Sequence, residues 1–144
     1  MRIQDQVLLA LTAWRENRGG GRTGMQSVIN VVCNRVAKDG TNAYEECVKR
    51  EQFTSLTGRN DPELGLWPMD NDPQWLQALD LAQMAAAGVL VDITNGALLY
   101  YAPRSIVTTK TIPWLDGTQV AFPEGWNAAA VTPLCEICGQ LFFR

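Results

Sequence analysis

The first apolar stripe of the chain predicts a helix from Ile3 to about Asn17. Its hydrophobic residues recur at the spacing of one helix face, at Ile3, Val7, Leu8, Leu11 and Trp14. Arg15 and Glu16 leave this stripe, and the run Gly19–Gly21 ends the helix. The pattern therefore places Glu16 at the exposed end of an otherwise apolar helix, beside a glycine loop.

A second stripe predicts a helix that Gly40 ends. Thr23 and Gln26, three residues apart, have the pattern of a capping box at its start. One side of this helix is apolar, with Met25, Val28, Ile29, Val32, Cys33 and Val36. On its polar side, Asn30 and Asn34 have the pattern of simple surface residues.

Two further helices are predicted. A short one runs from Asn42 to about Arg50, and Asp72-Pro73 opens a longer one that Gly88 closes. The buried face of the longer helix is predicted to contain Trp75, Leu76, Leu79, Ala82 and Ala86. The segment between these helices lacks periodicity, so we expect it to be functional or to contain short helical turns.

Short strand candidates fill the rest of the chain. Ala97–Tyr101 is an apolar run that Pro103 cuts off, Val107–Ile112 and Thr118–Phe122 are weaker candidates, and residues 141–143 are expected to return as a final strand. The patterns together predict an α+β fold, in which a helical bundle precedes a small irregular antiparallel sheet. We expect one domain over the whole chain.

Composition excludes several classes of function. The 144 residues contain no histidine, which excludes Ser-His-Asp triads, Cys-His pairs and His-ligated zinc hydrolases. Catalysis would have to use carboxylates, hydroxyls, lysines or thiols. Twelve Lys+Arg against fifteen Asp+Glu give a net charge of −3 without a basic run, so no nucleic-acid partner is expected.

The state of the four cysteines stays open. Cys33 and Cys47 are too far apart in sequence to pair with the CxxC of Cys135 and Cys138 as a four-thiolate zinc site. Reduced, partly buried thiols agree with the usual burial of free cysteine, and one disulfide is the alternative. We expect neither a metal nor a cofactor.

Four motifs, in order, resemble one family. They are Trp14-x-Glu16-x-Arg18-Gly19, the run Gly-Met-Gln-Ser-Val-x-Asn-Val-Val-x-Asn-Arg-Val at 24–36, Glu-Gln-Phe-Thr at 51–54, and Asp-x-Thr-Asn-Gly-Ala-Leu-x-Tyr-Tyr at 92–101. This order resembles that of the SleB-type cell wall hydrolases, which degrade peptidoglycan in spore cortex and in phage lysis. Each motif alone is weak, but their common order is specific.

The resemblance implies a lysozyme-like fold and a lytic transglycosylase that cleaves the β-1,4 bond between N-acetylmuramic acid and N-acetylglucosamine. Glu16 would be its essential acid. One carboxyl suffices for this reaction, because it first protonates the leaving oxygen and then deprotonates the muramic acid 6-hydroxyl. A hydrolytic muramidase would need a second carboxylate, for which Asp70, Asp72 and Asp92 are the candidates.

Substrate contacts are expected from residues of the later motifs, namely Gln52, Phe53, Thr54, Asn95, Tyr100, Tyr101 and Gln140. Two departures from the family concern the far rim of the cleft. Gly20 and Trp14 stand where the family commonly has a second acid and a tyrosine. The C-terminal Gly-x-His-x-Phe element lacks its histidine here, and the amide of Gln140 is the expected replacement.

Several of these residues have a structural alternative. Glu16 could be a solvated carboxylate paired with Arg18 or Arg35, and Gln52 could lie outside the cleft. A loop phenylalanine such as Phe53 usually closes the edge of a core. Tyr100 and Tyr101 must point to opposite sides of their strand, so one of this pair is core and the other faces substrate. The loop tryptophans Trp67 and Trp114 suit sugar stacking or core packing.

A general acid must keep its proton near neutral pH, so the pKa of Glu16 should lie above that of a free glutamate. We expect burial in a cleft walled by Trp14, Phe53 and one of the two tyrosines to raise it. The neighbouring cations Arg15, Arg18 and Arg35 would lower this pKa. They are therefore expected to face solvent or to pair with other acids.

The expected partner is the glycan strand of peptidoglycan, bound by a monomer without membrane insertion. The N-terminal residues lack a signal-peptide pattern, so we expect synthesis in a bacterial host cytoplasm and action on the wall after release, as in a phage endolysin. Two rival functions are a catalytically dead glycan-binding module and a CxxC redox or zinc protein.

Overall fold

The computed structural model describes residues 1–49 and 52–144, in which helices precede strands. The helices are α1 Ile3–Asn17, α2 Gly21–Asp39, α3 Ala43–Val48, α4 Thr54–Thr57 and α5 Pro73–Ala86. The strands are β1 Leu99–Tyr101, β2 Thr111–Pro113, β3 Gln119–Ala121, β4 Pro133–Ile137 and β5 Gln140–Phe143. This arrangement confirms the predicted α+β class. Within the described residues, no helix combines the length and apolarity that crossing a membrane requires.

Helix α1 has the predicted bounds and lies at the centre of the bundle, packed against α2, α3 and α5. Its apolar stripe is only partly the buried face, because Ile3 and Val7 are exposed. From Leu9 to Arg15 every residue is buried. The surrounding helices enclose this half of α1 on all sides, so its polar residues are buried together with its apolar ones.

Helix α2 begins at Gly21, and the predicted capping box at Thr23 is wrong. The N-cap is Gly20, which makes no side-chain cap. A Cβ on Gly20 or on Gly24 would come 2.7 or 2.8 Å from the side chain of Asn17. These glycines therefore make room for Asn17 where α1 meets α2.

The predicted cap of α5 is confirmed, and α3 has a side-chain cap as well. The side chain of Asn42 accepts a hydrogen bond from a backbone N–H of α3, and that of Asp72 accepts two from α5. The predicted end of α3 at Arg50 lies outside the described residues. On α5 the prediction for Leu76 is wrong, because this side chain is exposed. Small residues bring α5 close to α1, and its buried face contains Ala78, Leu81 and Ala82.

Strand β5 is the middle strand of an antiparallel sheet with the order β1-β5-β4, and β2 pairs with β3 in a separate hairpin. Strand β4 is absent from the sequence prediction. Of the predicted strand Val107–Ile112, only Thr111 and Ile112 belong to β2, and Val107 is exposed. Cys138 and Gly139 join β4 to β5 with φ values of 50° and 76°. This turn, with both residues at positive φ, is the favoured hairpin connection, so the CxxC motif spans a β-hairpin.

An aromatic cluster forms a second core beside the sheets. The ring of Tyr101 stacks on Phe143 with centroids 5.5 Å apart and meets the edge of Trp126 at 5.4 Å. Trp114 packs against the same phenylalanine at 5.6 Å. Trp114 therefore fills the core, which decides between its two sequence interpretations.

The turn that precedes β1 is fastened to α2. Asn30 Oδ1 accepts the backbone N–H of Ile93 at 3.1 Å, and Asn34 Nδ2 donates to Asp92 at 3.1 Å. The surface interpretation of both asparagines is therefore wrong. Partial burial opposes ionisation of Asp92, but hydrogen bonds from Thr94 and from the turn outweigh burial and lower its pKa. These contacts fix the start of β1 against the helical bundle.

All four cysteines are free thiols. Burial raises the pKa of Cys33 to about 11 and that of Cys47 to about 12. Both thiols therefore stay protonated at neutral pH, which makes them poor nucleophiles. Cys138 is exposed in the β4–β5 turn.

Candidate active site

Glu16 lies in the last turn of α1 and is held by two hydroxyl groups from distant elements. The Ser55 hydroxyl of α4 donates to Oε1, and the Tyr100 hydroxyl of β1 donates to Oε2 at 3.2 Å. Neither Arg18 nor Arg35 forms an ion pair with Glu16. The solvated, arginine-paired interpretation of Glu16 is therefore wrong, and the carboxyl group has a fixed orientation.

The environment of Glu16 favours its protonated form. Burial raises the pKa of its carboxyl group, the two hydroxyl donors Ser55 and Tyr100 lower it, and the negative charge of Asp61 raises it again. The net direction is upward. Burial and the charge of Glu16 also raise the pKa of Tyr100 well above its ordinary value, which keeps this phenol a hydrogen-bond donor. A general acid must hold its proton at the pH of the reaction, and the raised pKa of Glu16 serves this need.

Glu16 borders an open cavity of about 390 Å³ between the bundle and the sheet. Of the predicted substrate-contacting residues, four line this cavity: Gln52, Tyr100, Tyr101 and Gln140. Tyr100 approaches Glu16, whereas the hydroxyl of Tyr101 donates to the carbonyl of Ala121 at 2.7 Å. The two hydroxyls thus point to different parts of the molecule, although both residues border the cavity. The division into one core tyrosine and one substrate-facing tyrosine stays a prediction.

Other predicted site residues lie elsewhere. Phe53 is 1% exposed within the helical core, so the prediction that it contacts substrate is wrong. Thr54 begins α4, where its hydroxyl donates to Asp61, and it does not border the cavity. Asn95 is an exposed turn residue with φ of 59°, also outside the cavity. Glu51 of the same motif lies outside the described residues.

Trp14 does not wall the cavity either. It is 6% exposed, and its Nε1 donates to Asp72 at 2.9 Å. Of the predicted aromatic walls, Tyr100 borders the cavity, and Trp126 of the aromatic cluster borders it as well. Trp67 is 70% exposed on its loop, where the Arg15 guanidinium lies 4.8 Å from the ring centroid.

The prediction that Arg15 faces solvent or an acid is wrong. Its side chain is buried and donates to the backbone carbonyls of Ser55, Leu64 and Leu66. These bonds tie the loop that follows α4 to the end of α1. The hydroxyl of Ser55 donates to Glu16, and the carbonyl of the same residue is bound by Arg15. Arg15 therefore stabilises the position of a residue that orients Glu16.

Arg18 and Arg35 differ in their partners. Arg18 forms an ion pair with Glu63, so the prediction that it pairs with another acid is confirmed, and it also donates to the carbonyl of Trp14. Arg35 is buried, and its Nε donates to the carbonyl of Leu98 at 2.7 Å. The prediction that Arg35 faces solvent or pairs with an acid is wrong, since it borders the cavity instead.

Glu16 is the one carboxylate among the described residues that border this cavity. Asp72 caps α5 and Asp92 holds the turn before β1, so both have structural roles. Asp70 is exposed and lies outside the cavity. Asp61, whose charge reaches Glu16, accepts bonds from Thr54 and from the turn at 62–65.

Two residues that complete the site are not predicted from the sequence. Ser55 follows the Gln-Phe-Thr motif directly, and a hydroxyl next to a family motif was the available signal. Asn17 follows Glu16, and its Nδ2 donates to Gln140 Oε1 at 2.9 Å. Gln140 thus borders the cavity and is held by an asparagine for which Gly20 and Gly24 make room. That its amide replaces the family histidine stays a prediction.

Comparisons with known proteins identify the family and the fold. The model of the Cell Wall Hydrolase family matches residues 19–122. The fold is similar to the catalytic domain of the germination-specific lytic transglycosylase SleB from Bacillus anthracis, with a TM-score of 0.68 and 19% identity over 100% of this chain and 97% of that one. No curated protein matches the sequence. Glu16 precedes the matched segment, so its assignment rests on the geometry of the site.

Proposed function

Because this chain belongs to the cell wall hydrolase family, we propose that it is a peptidoglycan lytic transglycosylase with Glu16 as acid and base. The bond cleaved is the β-1,4 linkage between N-acetylmuramic acid and N-acetylglucosamine. The observation that carries the proposal is the half-buried carboxyl of Glu16, held by two hydroxyls at the edge of an open cavity.

The mechanism needs two proton transfers through the one carboxyl group of Glu16. Protonated Glu16 gives its proton to the glycosidic oxygen as the bond from that oxygen to the muramic acid C1 breaks. The resulting carboxylate then takes the proton of the muramic acid 6-hydroxyl, whose oxygen bonds to C1. The products are a 1,6-anhydromuramic acid end and a strand with a free N-acetylglucosamine 4-hydroxyl, and Glu16 is protonated again.

The absence of a second carboxylate among the described cavity residues supports this route over hydrolysis. A hydrolytic glycosidase needs two carboxyls, one as acid and one as nucleophile or base. The substrate hydroxyl replaces both the water and the second carboxylate. Purified sacculi test the activity itself, because a transglycosylase releases soluble fragments from them, whereas a catalytically dead glycan-binding module binds them and releases none.

Tyr100→Phe is expected to lower kcat about tenfold, because it removes one hydrogen bond to a group that becomes charged during the reaction. It should also move the alkaline limb of the pH profile upward. The Tyr100 hydroxyl stabilises the carboxylate and lowers the pKa of Glu16, so its removal lets Glu16 keep its proton to higher pH. The measurement is kcat against pH on solubilised glycan strands.

The matched control is Tyr44→Phe, at an exposed tyrosine on α3, which should leave both kcat and the profile unchanged. An alkaline limb that stays in place or moves to lower pH in Tyr100→Phe would show that this phenol does not tune the catalytic acid.

We propose a phage-type endolysin role as the physiological setting. The support is the family's wall substrate, which an enzyme made in the host cytoplasm reaches once a membrane pore opens. Expression alone should leave bacterial cells intact, and co-expression with a pore-forming protein should lyse them. Lysis without the pore would contradict this role and leave the enzymatic proposal standing.

A further inference from the structure

A second cavity, of about 230 Å³, adjoins the one at Glu16. Arg35, Gln52 and Leu99 border both cavities. A substituent of a sugar bound at Glu16 can therefore pass across these residues into the second cavity. The cavities form one continuous surface beside the start of β1.

Positive charge dominates the second cavity. Its described charged residues are four cations and one carboxylate, namely Arg35, Lys38, Lys49 and Arg144 against Asp39. The carboxylate is already paired, since Lys49 donates to Asp39 at 3.3 Å. The remaining cations give this surface an excess of positive charge.

Arg35 supplies an independent sign of an anionic ligand. Its side chain is 8% exposed, and Nε is bound to the carbonyl of Leu98. Within residues 1–49 and 52–144, no group accepts a hydrogen bond from its buried Nη1. Its guanidinium carbon lies 5.4 Å from the centroid of the Phe53 ring, which supplies no acceptor oxygen. The carboxylates of Glu46 and Asp39 act on Arg35 through space only, so among the described residues its buried Nη1 is left without an acceptor. A buried donor on a charged group without an acceptor is costly, and a bound carboxylate offsets that cost.

We propose that the second cavity binds the carboxylates of the acidic peptide stem on the muramic acid lactyl group, a proposal that rests on the proposed function. The stem leaves the sugar ring at O3 and carries free carboxylates within reach of a neighbouring subsite. A planar guanidinium matches a carboxylate in geometry, and exposed lysines add attraction that salt screens. Arg35 would bind the stem, whereas Glu16 acts on the glycan.

The test compares glycan strands that carry intact stems with strands whose stem carboxylates have been converted to primary amides with a carbodiimide and ammonia. Removing the stems with an amidase would leave a new lactyl carboxylate on each muramic acid, so amidation is the cleaner comparison. The quantity measured is the ratio of kcat/KM for the first substrate to that for the second. Lys38→Glu should lower this ratio roughly fivefold, the factor for about 1 kcal/mol at an exposed ion pair. Asp39→Asn, which removes the negative charge from the second cavity, should raise this ratio. Arg59→Glu is the matched charge reversal at an exposed loop residue outside both cavities and should leave it unchanged.

The wild-type ratio should exceed one and fall as ionic strength rises. A wild-type ratio of one, or a Lys38→Glu ratio equal to that of wild type, would overturn the stem subsite. In both cases continued cleavage of the amidated strands would leave the proposed transglycosylase intact. Cleavage of neither substrate would overturn both proposals.

Discussion

Glu16→Gln is expected to lower the rate of peptidoglycan cleavage by about 10²–10⁴-fold, the usual contribution of a positioned acid and base. The substitution keeps the size of the side chain and an oxygen that accepts a hydrogen bond from Ser55 or Tyr100. It removes the proton that the leaving oxygen needs. The measurement is the initial rate at which outer-membrane-permeabilised cells lose turbidity.

The matched control is Glu136→Gln, because Glu136 is exposed on β4 and lies outside the cavity at Glu16. This variant should clear cells at the wild-type rate. Thermal unfolding of both variants checks that the fold survives. If the Glu16→Gln variant cleared cells as fast as wild type, the catalytic assignment of Glu16 would be wrong.

Arg15→Met is expected to lower the free energy of unfolding by about 3 kcal/mol. It leaves the buried carbonyl of Ser55 without a donor, at roughly 1–3 kcal/mol, and it also removes the bonds to the part-buried carbonyls of Leu64 and Leu66. Methionine fills much of the space of the arginine stem but donates no hydrogen bond. Urea titration followed by far-UV circular dichroism measures the change.

Arg22→Met is the matched control for this substitution, because Arg22 forms an exposed ion pair with Asp80. Such pairs contribute about 0–1 kcal/mol, so this variant should unfold close to wild type. A free energy for Arg15→Met within about 0.5 kcal/mol of wild type would show that Arg15 does not hold the loop.

Local signals explain which elements could be predicted from the sequence. The bounds of α1 and the start of α5 depend on apolar spacing, on glycines and on the Asp72-Pro73 cap, all of which act within a few residues. The burial of Arg15 has no local signal, because its partners are backbone carbonyls some 40 to 51 residues further along the chain. Strand β4 was missed for a similar reason, since its pairing with β5 is what defines it.

The site was predictable in part. The family motifs led to Glu16, Tyr100 and Gln140, which the structure brings to one cavity. A motif does not show whether a residue is buried in the core or exposed in the cleft, so the predicted contact between Phe53 and the substrate is wrong. The second hydroxyl on Glu16 comes from Ser55, which lies 39 residues away. Only the folded chain brings this hydroxyl to the carboxyl group.

The glycan ends that remain after digestion test the central claim most directly. Mass spectrometry of products from purified strands should find 1,6-anhydromuramic acid, lighter by one water than a reducing end, in the wild-type digest. Reducing muramic acid as the main product would contradict the single-carboxyl mechanism and make the enzyme a muramidase. Asp61, whose charge raises the pKa of Glu16, would then be the first candidate for the second carboxylate.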